Sequence, residues 1–480
     1  MAGIGFELKK IYRKEGISYT LMGATYSSLI TIGPTIVVIL TILLLYTVLD
    51  MTRISIADRE LLSSTILYIF IFAVSLDAPF NSVFSRYLSD KFYNEESDDI
   101  LSSYYMGTMV VSLLSMIMAV PMMLSLYFRG NVDLPFILGA YVLWASAVIL
   151  FFSITYLQAT KDYKIIAMFF FVAMIIGFLT AFLLYRFTYW DQIHCILYGL
   201  AVGFFIISFS EFAYIRYYFR VDSGNYTECL RYIGRYMKIF LTNFFYIMGL
   251  YVHNFVMWTT PEHLIVANTY VSHQAYDMAT CLAMFSNISC TVIFTVVAET
   301  DFHETYQKYM EAVIGGTYRL IQKNKRIMFH TLSTQLGQIF SLQVAITCVT
   351  FLFLHIFGLS LGFSALTMTI YPLLTVGYLG VFMMYCMIVY LYYFEDTTDS
   401  MLTGLIFFLG TFVGTWISKD FSAMFYGAGL VFGMVASLSY AFFRIRSLER
   451  NFESHIFCRY KIIETMKSST KGRVVYRRGD

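Results

Sequence analysis

Long apolar runs alternate with short polar segments along almost the whole of this sequence. Each run reaches about 20 residues, the length that an α-helix needs to cross a bilayer core of roughly 30 Å. The pattern predicts twelve membrane-spanning helices. We place them at residues 22–49, 61–85, 103–127, 136–159, 165–186, 194–215, 239–259, 275–298, 337–357, 364–394, 401–417 and 422–443.

The cations occupy every second gap between these runs. With the N-terminus inside, the outer segments hold only Arg53, Arg59, Arg129, Arg186 and Lys419, and the inner segments hold all the other lysines and arginines. Such an asymmetry is the positive-inside pattern of multi-pass membrane proteins. It predicts that both termini lie in the cytoplasm and that the number of spans is even.

The composition agrees with a membrane protein. Hydrophobic residues make up 58% of the chain and charged residues only 13%, about half the share of a soluble protein. Too few charged residues are present to cover a water-facing surface. We therefore predict an all-α polytopic membrane protein that is surrounded by the lipid bilayer.

The loops suggest how the spans are grouped. Residues 1–20 are predicted to form an amphipathic cytoplasmic helix, or else a solvated basic leader. Residues 217–238 form a cytoplasmic linker between two six-helix bundles, at 21–216 and 239–443. Bundles arranged in this way around a central cavity are typical of transporters.

Two further cytoplasmic segments are long enough to bind a partner. The segment at about 299–336 has aromatic residues at helical spacing, and the tail at 444–480 is basic. The first of these carries a cationic group that we predict to be a docking surface. The group consists of Arg319, Lys323, Lys325 and Arg326.

Ionisable residues inside spans are candidates for function, because hydrocarbon tolerates them poorly. Asp77 lies in span two, with Asn81 and Ser85 on roughly the same helical side. It either lines a polar transport cavity or is satisfied by a neighbouring helix. Water could also reach it if Pro79 breaks the span.

Spans seven and eight carry the other polar candidates. His253 and Asn254 are adjacent in span seven, and Asp277 and Glu299 lie near the two ends of span eight on one helical face. We predict that these four residues also line the cavity. The alternatives are a structural hydrogen bond for the histidine and simple helix-end anchors for the two acids.

Two other positions have structural interpretations. Pro34, which follows Gly33 in span one, is predicted to kink that helix. Glu211, near the inner end of span six, is predicted to pair with Arg216.

No motif of an enzyme is present. The sequence lacks a GxxxxGK[ST] phosphate loop, a glycine-rich nucleotide motif and a cluster with zinc spacing. We therefore predict neither a metal nor a cofactor, no nucleic-acid partner and no enzymatic activity. The seven cysteines contain no CxxC pair and predict no disulfide framework.

Four segments in order resemble the PelG family, the integral-membrane subunits of Pel exopolysaccharide systems. The resemblance runs from Met1 to at least the eleventh span. The segments are MAGIGFELK at Met1–Lys9, FSRYLSDKFY at Phe84–Tyr93, ETDFHETYQKY at Glu299–Tyr309 and YFEDTT at Tyr393–Thr398.

The resemblance implies a fold of the multidrug/oligosaccharidyl-lipid/polysaccharide exporter superfamily. It also implies export of the Pel polysaccharide, an amino-sugar polymer, through the cytoplasmic membrane. The implied partners are the soluble glycosyltransferase PelF and the membrane proteins PelD and PelE. One departure is that His253–Asn254 stands where the family is expected to have an Asp-Lys pair.

Other functions remain open on the residues alone. The chain could flip a lipid-linked oligosaccharide or exchange a small molecule, both within the same superfamily. It could instead be a membrane-embedded transferase that uses Asp77 or His253–Asn254, although no second catalytic partner is visible. A scaffold that only recruits a transferase is a further alternative.

Overall fold

The structure is a computed structural model that describes residues 33–49, 54–160, 162–297 and 302–458. These residues form fifteen α-helices, one short 3₁₀-helix and a β-hairpin. The helices are α1 Gly33–Val48, α2 Ile56–Tyr93, α3 Asp99–Phe128, α4 Leu134–Thr160, α5 Tyr163–Phe187, α6 Gln192–Phe219, α7 Glu228–Arg235, α8 Met237–Met257, α9 Gln274–Asn287, α10 Ser289–Val297, α11 His303–Gly315, α12 Tyr318–Phe357, α13 Ala365–Tyr393, α14 Thr397–Ser418 and α15 Ala428–Cys458. The 3₁₀-helix is Ala423–Phe425, and the antiparallel hairpin pairs β1 Leu264–Val266 with β2 Tyr270–Ser272.

Ten helices of the described residues are long and apolar enough to cross a membrane. They are α2, α3, α4, α5, α6, α8, α12, α13, α14 and α15, and they correspond to ten of the twelve predicted spans. Predicted span one is described only from residue 33. Predicted span eight is divided at Ile288 into α9 and α10, but Ile288 keeps helical dihedral angles (φ −61°, ψ −26°), so the chain continues in a similar direction.

Proline inside a span does not divide the helix, either at Pro79, where the sequence allowed a break, or at Pro372. Helix α2 continues through Pro79, and α13 continues through Pro372. Transmembrane helices tolerate proline because nearby groups can satisfy the freed carbonyl. Asp77 therefore lies within a continuous helix and does not reach water through a break at Pro79.

Buried apolar side chains form two clusters. The first cluster draws mainly on α1 to α6, and the second draws mainly on α8 to α15. Helices α2 and α8 contribute to both, because Val74 and Ala78 pack against the second cluster and Phe240 and Phe255 pack against the first. We call the contact between α2 and α8 the seam.

Two helix pairs pack backbone to backbone through small residues. Gly177 of α5 lies against Gly199 and Gly203 of α6, where an added Cβ would come within 2.6 Å of the Gly199 carbonyl oxygen. Gly410 of α14 lies against Gly433 of α15 in the same way, because a Cβ added to Gly410 would come within 2.9 Å of the Gly433 Cα. Such small-residue contacts are a common way of joining membrane helices.

One end of the molecule carries the predicted cytoplasmic elements, and we call it the inner end. Lys91 at the end of α2 binds Glu96 (2.8 Å), Asp99 (2.5 Å) and Glu228 (3.0 Å), which fastens α7 of the predicted linker to α2 and α3. The lysine side chain is almost fully buried among these carboxylates. The opposite end, which carries the β-hairpin, is called the outer end.

An aromatic cluster holds the predicted 299–336 segment against the spans at the inner end. Phe329 of α12 packs on Phe394 (5.4 Å between ring centroids) and on Phe452 of α15 (5.2 Å). Tyr309 of α11 also packs on Phe452 (5.3 Å). The described part of this segment is helical as predicted, but α12 then runs without interruption into predicted span nine.

Candidate functional site

Aromatic rings fill the seam between α2 and α8. Towards the outer end, Tyr68 stacks on Trp258 with centroids 5.1 Å apart. One turn inward, Phe72 stacks on Phe255 at 6.2 Å. Nearer the inner end, Phe80 meets the edge of Phe240 at 5.1 Å. All six rings belong to the first cluster, which therefore extends across the seam from α2 onto α8.

The inner end of the seam is closed by an ion pair. Arg86 of α2 binds Asp90 of its own helix and Glu395 of the α13–α14 turn, each at 3.1 Å. Its guanidinium also lies over the ring of Tyr236, 5.6 Å from the centroid. The side chains of Arg86 and Glu395 are both partly exposed. Water can therefore compete for this contact, which is suited to opening and closing.

The outer end is closed by the β-hairpin. The Tyr68 hydroxyl donates to the Val271 carbonyl (2.7 Å) and accepts from the Val271 N–H (2.9 Å). At the hairpin tip, the Asn268 amide donates to the carbonyl of Arg129 at 3.2 Å. The hairpin leaves the end of α8 and thus rests on α2 and on the α3–α4 turn.

Close contact at the tip depends on a glycine. A Cβ added to Gly130 would meet the Ala267 carbonyl oxygen at 2.7 Å. Ala267 and Asn268 both have positive φ (48° and 47°), and they are the central residues of a β-turn that the Thr269 N–H closes on the Val266 carbonyl at 3.1 Å. An alanine in this region is strained, so the turn is held in place by its surroundings.

Replacing Tyr68 by phenylalanine is expected to loosen the hairpin. The change leaves the partly buried N–H and carbonyl of Val271 without their partner, which costs about 1 kcal/mol, at the low end for unsatisfied groups. We expect faster hydrogen–deuterium exchange in residues 264–272, measured by mass spectrometry. Tyr46→Phe, which removes an exposed hydroxyl contact to Ser63, is the control. Equal exchange rates in Tyr68→Phe and the wild type would contradict this role for the hydroxyl.

Two of the predicted site residues meet beneath the hairpin. Asn254 donates its amide to Asp277 at 2.7 Å, although the residues lie on different helices. The same carboxylate accepts from the indole N–H of Trp258 at 3.0 Å and from the backbone N–H of His273 at 3.0 Å. Asp277 is therefore buried and accepts hydrogen bonds from three donors. The Asn254 amide oxygen is buried and has no partner among the described residues.

The imidazole of His273 and the carboxylate of Glu262 lie next to this cluster. His273 lies 3.2 Å from Glu262, a half-exposed acid, and its other nitrogen accepts from the Tyr276 N–H. Tyr426 also donates to Glu262 (3.4 Å). A set of polar groups therefore leads from the surface at the outer end to Asp277, and these groups offer hydrogen-bond donors and acceptors to a hydroxyl-rich ligand.

His253 is held by hydrogen bonds to neighbouring side chains. Its side chain is fully buried, and its two ring nitrogens lie 2.8 Å from the Tyr276 hydroxyl and 3.1 Å from the Tyr378 hydroxyl. Tyr378 in turn donates to the Leu250 carbonyl at 3.2 Å. The structural hydrogen-bond interpretation accounts for all of these contacts.

Asp77 lies apart from this group. Phe70 and Phe84, seven residues before and after it, share its face of α2. Phe70 contacts Phe204 of α6, and Phe84 contacts Phe152 of α4. Asp77 therefore faces the first cluster. Both of its carboxylate oxygens are buried without a hydrogen-bond partner among the described residues.

The other predicted residues have varied positions. Glu299 lies outside the described residues. Gly33–Val48 is helical from its first described residue, and the side chain of Pro34 is also outside the description. Lys325 is mostly buried and pairs with Glu453 at 3.4 Å. Arg319, Lys323 and Arg326 are exposed.

The structure corrects one predicted ion pair and adds a buried polar network that the sequence interpretation missed. The prediction that Glu211 pairs with Arg216 was wrong: neither oxygen of Glu211 has a hydrogen-bond partner among the described residues. Near the α9–α10 division, Asn287, Gln343 and Thr347 form a buried network, with Thr347 donating to Asn287 at 2.8 Å. The only sign of this network in the sequence was the presence of amide side chains in apolar runs.

Comparison with known proteins identifies the family. A family profile described as "PelG: Putative exopolysaccharide Exporter (EPS-E)" matches residues 1–457. The chain belongs to this family. It is therefore a multi-pass membrane protein of an exopolysaccharide exporter family, as the four sequence segments predicted. No curated protein matches the chain in sequence.

Solved structures of MOP-superfamily transporters share the fold. A transporter from Pyrococcus furiosus aligns with TM-score 0.60 at 12% identity, covering 89% of this chain and 95% of that one. A eukaryotic MATE transporter aligns at 0.58 and 10%, covering 90% and 98%. The Vibrio cholerae MATE transporter VcmN in its bent form aligns at 0.56 and 11%, covering 94% and 99%. At these identities the likeness shows a MATE-like fold.

Proposed function

We propose that this chain exports a Pel-type amino-sugar exopolysaccharide across the bacterial cytoplasmic membrane. The observation that carries the proposal is the family match over residues 1–457. The MATE-like fold supports it, because that fold belongs to membrane transporters. In this proposal the glycosyltransferase PelF makes the polymer at the inner end, and PelD and PelE complete the membrane assembly.

The polymer path is proposed to follow the seam. Arg86–Glu395 closes its inner end, and the hairpin on Tyr68 closes its outer end. Asn254 and Asp277 lie just beneath the hairpin, where they could bind sugar hydroxyls as the polymer leaves. Passage requires α2 and α8 to separate, which exposes the aromatic rings between them. Flat rings of this kind provide stacking surfaces for sugars.

The proposed transferase-docking surface is Arg319, Lys323 and Arg326 at the start of α12. All three side chains are exposed at the inner end, and the aromatic cluster of Phe329, Phe394 and Phe452 fixes the segment that carries them. A segment that is already fixed loses less conformational entropy when a partner binds. Lys325 is not part of this surface, because its ion pair with Glu453 helps to fix the segment in place.

A second candidate is a flippase for lipid-linked oligosaccharide, or a small-molecule antiporter. The likeness to MATE multidrug transporters favours it. Dependence of transport on a lipid carrier would distinguish the flippase from a polymer exporter. Export of a small cation without any polymer would identify the antiporter.

The decisive test uses inside-out vesicles that contain this chain and the three partners. Labelled UDP-amino sugar is supplied, and new polymer is tested for protection from an added glycosidase. We expect protection that disappears when this chain is omitted, while synthesis continues. Polymer that remains digestible with the chain present would refute export.

Charge exchange at the inner end is expected to alter transport measurably. Arg86→Glu or Glu395→Arg should change the export rate, and the double variant should return it towards the wild-type rate, because a pair of opposite charges is restored. An exposed pair contributes about 0.2–1 kcal/mol, so the coupling is up to about fivefold. The measurement is a double-mutant cycle in the vesicle assay. Additive effects of the two changes would show that the contact is not part of the gate.

A further inference from the structure

Glu211 is a buried acid that the proposed path does not use. Its side chain has no exposed surface, and in the part of the chain that the structure describes neither carboxylate oxygen has a hydrogen-bond partner. A charged carboxylate without a partner is costly inside a membrane protein, so the carboxylic acid form is expected in this conformation. An acid kept in this way is suited to release and rebind a proton when its surroundings change.

Side chains of α3 and α4 with hydroxyl groups lie beside the part of α6 that carries Glu211. The neighbouring residue Phe212 packs on Tyr104 of α3, with centroids 5.7 Å apart. Tyr104 also shares a 2.7 Å hydrogen bond with Ser153 of α4. The nearby Thr108 hydroxyl is buried without a hydrogen-bond partner.

The polar groups extend from Glu211 towards the inner end only. Ser103 lies 3.1 Å from the Tyr156 hydroxyl, and Ser102 donates at 2.5 Å to Asp222 of the exposed linker. Ser102, Ser103 and Tyr104 are consecutive at the start of α3, so their side chains point in different directions around the helix and their hydroxyls make three separate contacts. These contacts place hydroxyl groups between the linker at the inner end and the level of Tyr104.

The outward side of Glu211 is closed. Phe204, seven residues earlier on the same face of α6, packs on Phe70 at 5.5 Å. Ser208 uses its hydroxyl within the helix bundle, since it lies 2.7 Å from the carbonyls of Phe204 and Ser146. Proton exchange with the outer end is therefore blocked by rings and satisfied groups.

Few charged groups face this part of α6. No lysine or arginine among the described residues forms an ion pair with Glu211, and Asp77 points into the same cluster from α2. The described titratable or charged side chains on the cytoplasmic halves of the helices packed against α6 are Asp77, Arg86, Tyr87, Asp90, Lys91 and Tyr93 on α2, Asp99, Tyr104 and Tyr105 on α3, Tyr156 on α4 and Lys164 on α5. Arg86, Asp90, Lys91 and Asp99 are held in the ion pairs of the inner end.

We propose that Glu211 is a proton-binding site of the first cluster, loaded from the inner end through Tyr104. On release, the carboxyl O–H bond breaks and the proton passes by way of the tyrosine hydroxyl to water at the cytoplasmic surface, leaving the carboxylate. No other reactant is required. The proposal concerns the chain itself and holds for whichever cargo it carries.

Infrared difference spectroscopy of the purified full chain in lipid membranes tests the proposal directly. During a pH titration, the wild type should show a titrating band of a protonated carboxyl group that is lost in Glu211→Gln. Asp77→Asn is the matched control and should leave that band in place. Identical titrations of Glu211→Gln and the wild type would overturn the proposal.

Further variants separate the alternatives. Tyr104→Phe should keep the band but slow its exchange with deuterium, and unchanged exchange would overturn the role of the tyrosine. Replacing potassium by sodium at constant pH should leave the band unaltered, whereas its loss would show a sodium site instead. If Glu211→Gln does not fold, Glu211→Asp should shift the band, and an unshifted band would refute the assignment.

Discussion

Replacement of Asp277 by leucine is expected to destabilise the second cluster by about 3–5 kcal/mol, the usual cost of removing one partner from a buried ionic hydrogen-bond group. Three donors would lose their acceptor: the Asn254 amide, the Trp258 indole N–H and the backbone N–H of His273. Leucine fills a similar volume but accepts no hydrogen bond. The loss should also disturb the stacking of Trp258 on Tyr68 across the seam.

The measurement for Asp277 is the thermal transition in detergent, followed by the fluorescence of the tryptophans. Asp277→Asn retains one oxygen acceptor and should be destabilised less than Asp277→Leu. Asp420→Asn, which changes an exposed acid at the outer end, controls for charge and should leave the transition in place. If Asp277→Leu melts at the wild-type temperature, the carboxylate does not stabilise this part of the fold.

Replacement of Gly433 by valine is expected to separate α14 from α15. A Cβ at this position would lie 2.2 Å from the Thr411 hydroxyl and 2.5 Å from its backbone nitrogen. The helix backbone cannot retreat without breaking other contacts, so the expected cost is about 3 kcal/mol or more, at the upper end of overpacking effects. The variant should show a lower melting temperature and increased proteolysis between the two helices.

Gly337 of α12 provides a matched control for this experiment. A Cβ there would meet nothing within 4 Å, so Gly337→Val changes the same residue type in a helix without a clash. It should melt close to the wild type. Gly199→Val should resemble Gly433→Val, since its Cβ would lie 2.5 Å from the Cβ of Ala181. Stability of Gly433→Val equal to that of Gly337→Val would disprove the close packing.

Apolar run length predicted most of the spans because it depends only on local composition. Ten of the twelve predicted spans have matching helices in the described part of the chain. The prediction was least accurate where a helix leaves the membrane: α12 continues for 40 residues from the inner end to Phe357, and no change in periodicity marks where the bilayer begins. Proline was also an unreliable guide, since α2 and α13 pass through it.

The partners of buried polar residues were harder to predict. Asn254 and Asp277 were both recognised, but their direct contact depends on how α8 and α9 pack. Glu211 was assigned to Arg216 because the two lie close in sequence. In the structure the acid faces the first cluster, where Phe212 beside it packs on Tyr104. Sequence spacing describes one helix and contains little information about its neighbours.

No internal repeat was visible in the sequence, but two pairs of glycines pack in the same way in its two halves. Gly199 and Gly203 of α6 match Gly429 and Gly433 of α15, each pair four residues apart and each facing the preceding helix. Predicted spans five and six thus pack like predicted spans eleven and twelve. Four residues scattered among many other glycines are recognisable only once their contacts are known. The correspondence supports the proposed arrangement of two six-helix bundles.

The hairpin at the outer end could serve as the epitope of a conformation-selective binding protein. It belongs to the loop between α8 and α9 but rests on the α3–α4 turn, so the docked surface formed by Ile265, Asn268 and Arg129 exists only while the outer end is closed. A nanobody that recognises this combined surface would be conformation-selective. It would arrest the cycle at a defined step and add a rigid fiducial for electron microscopy.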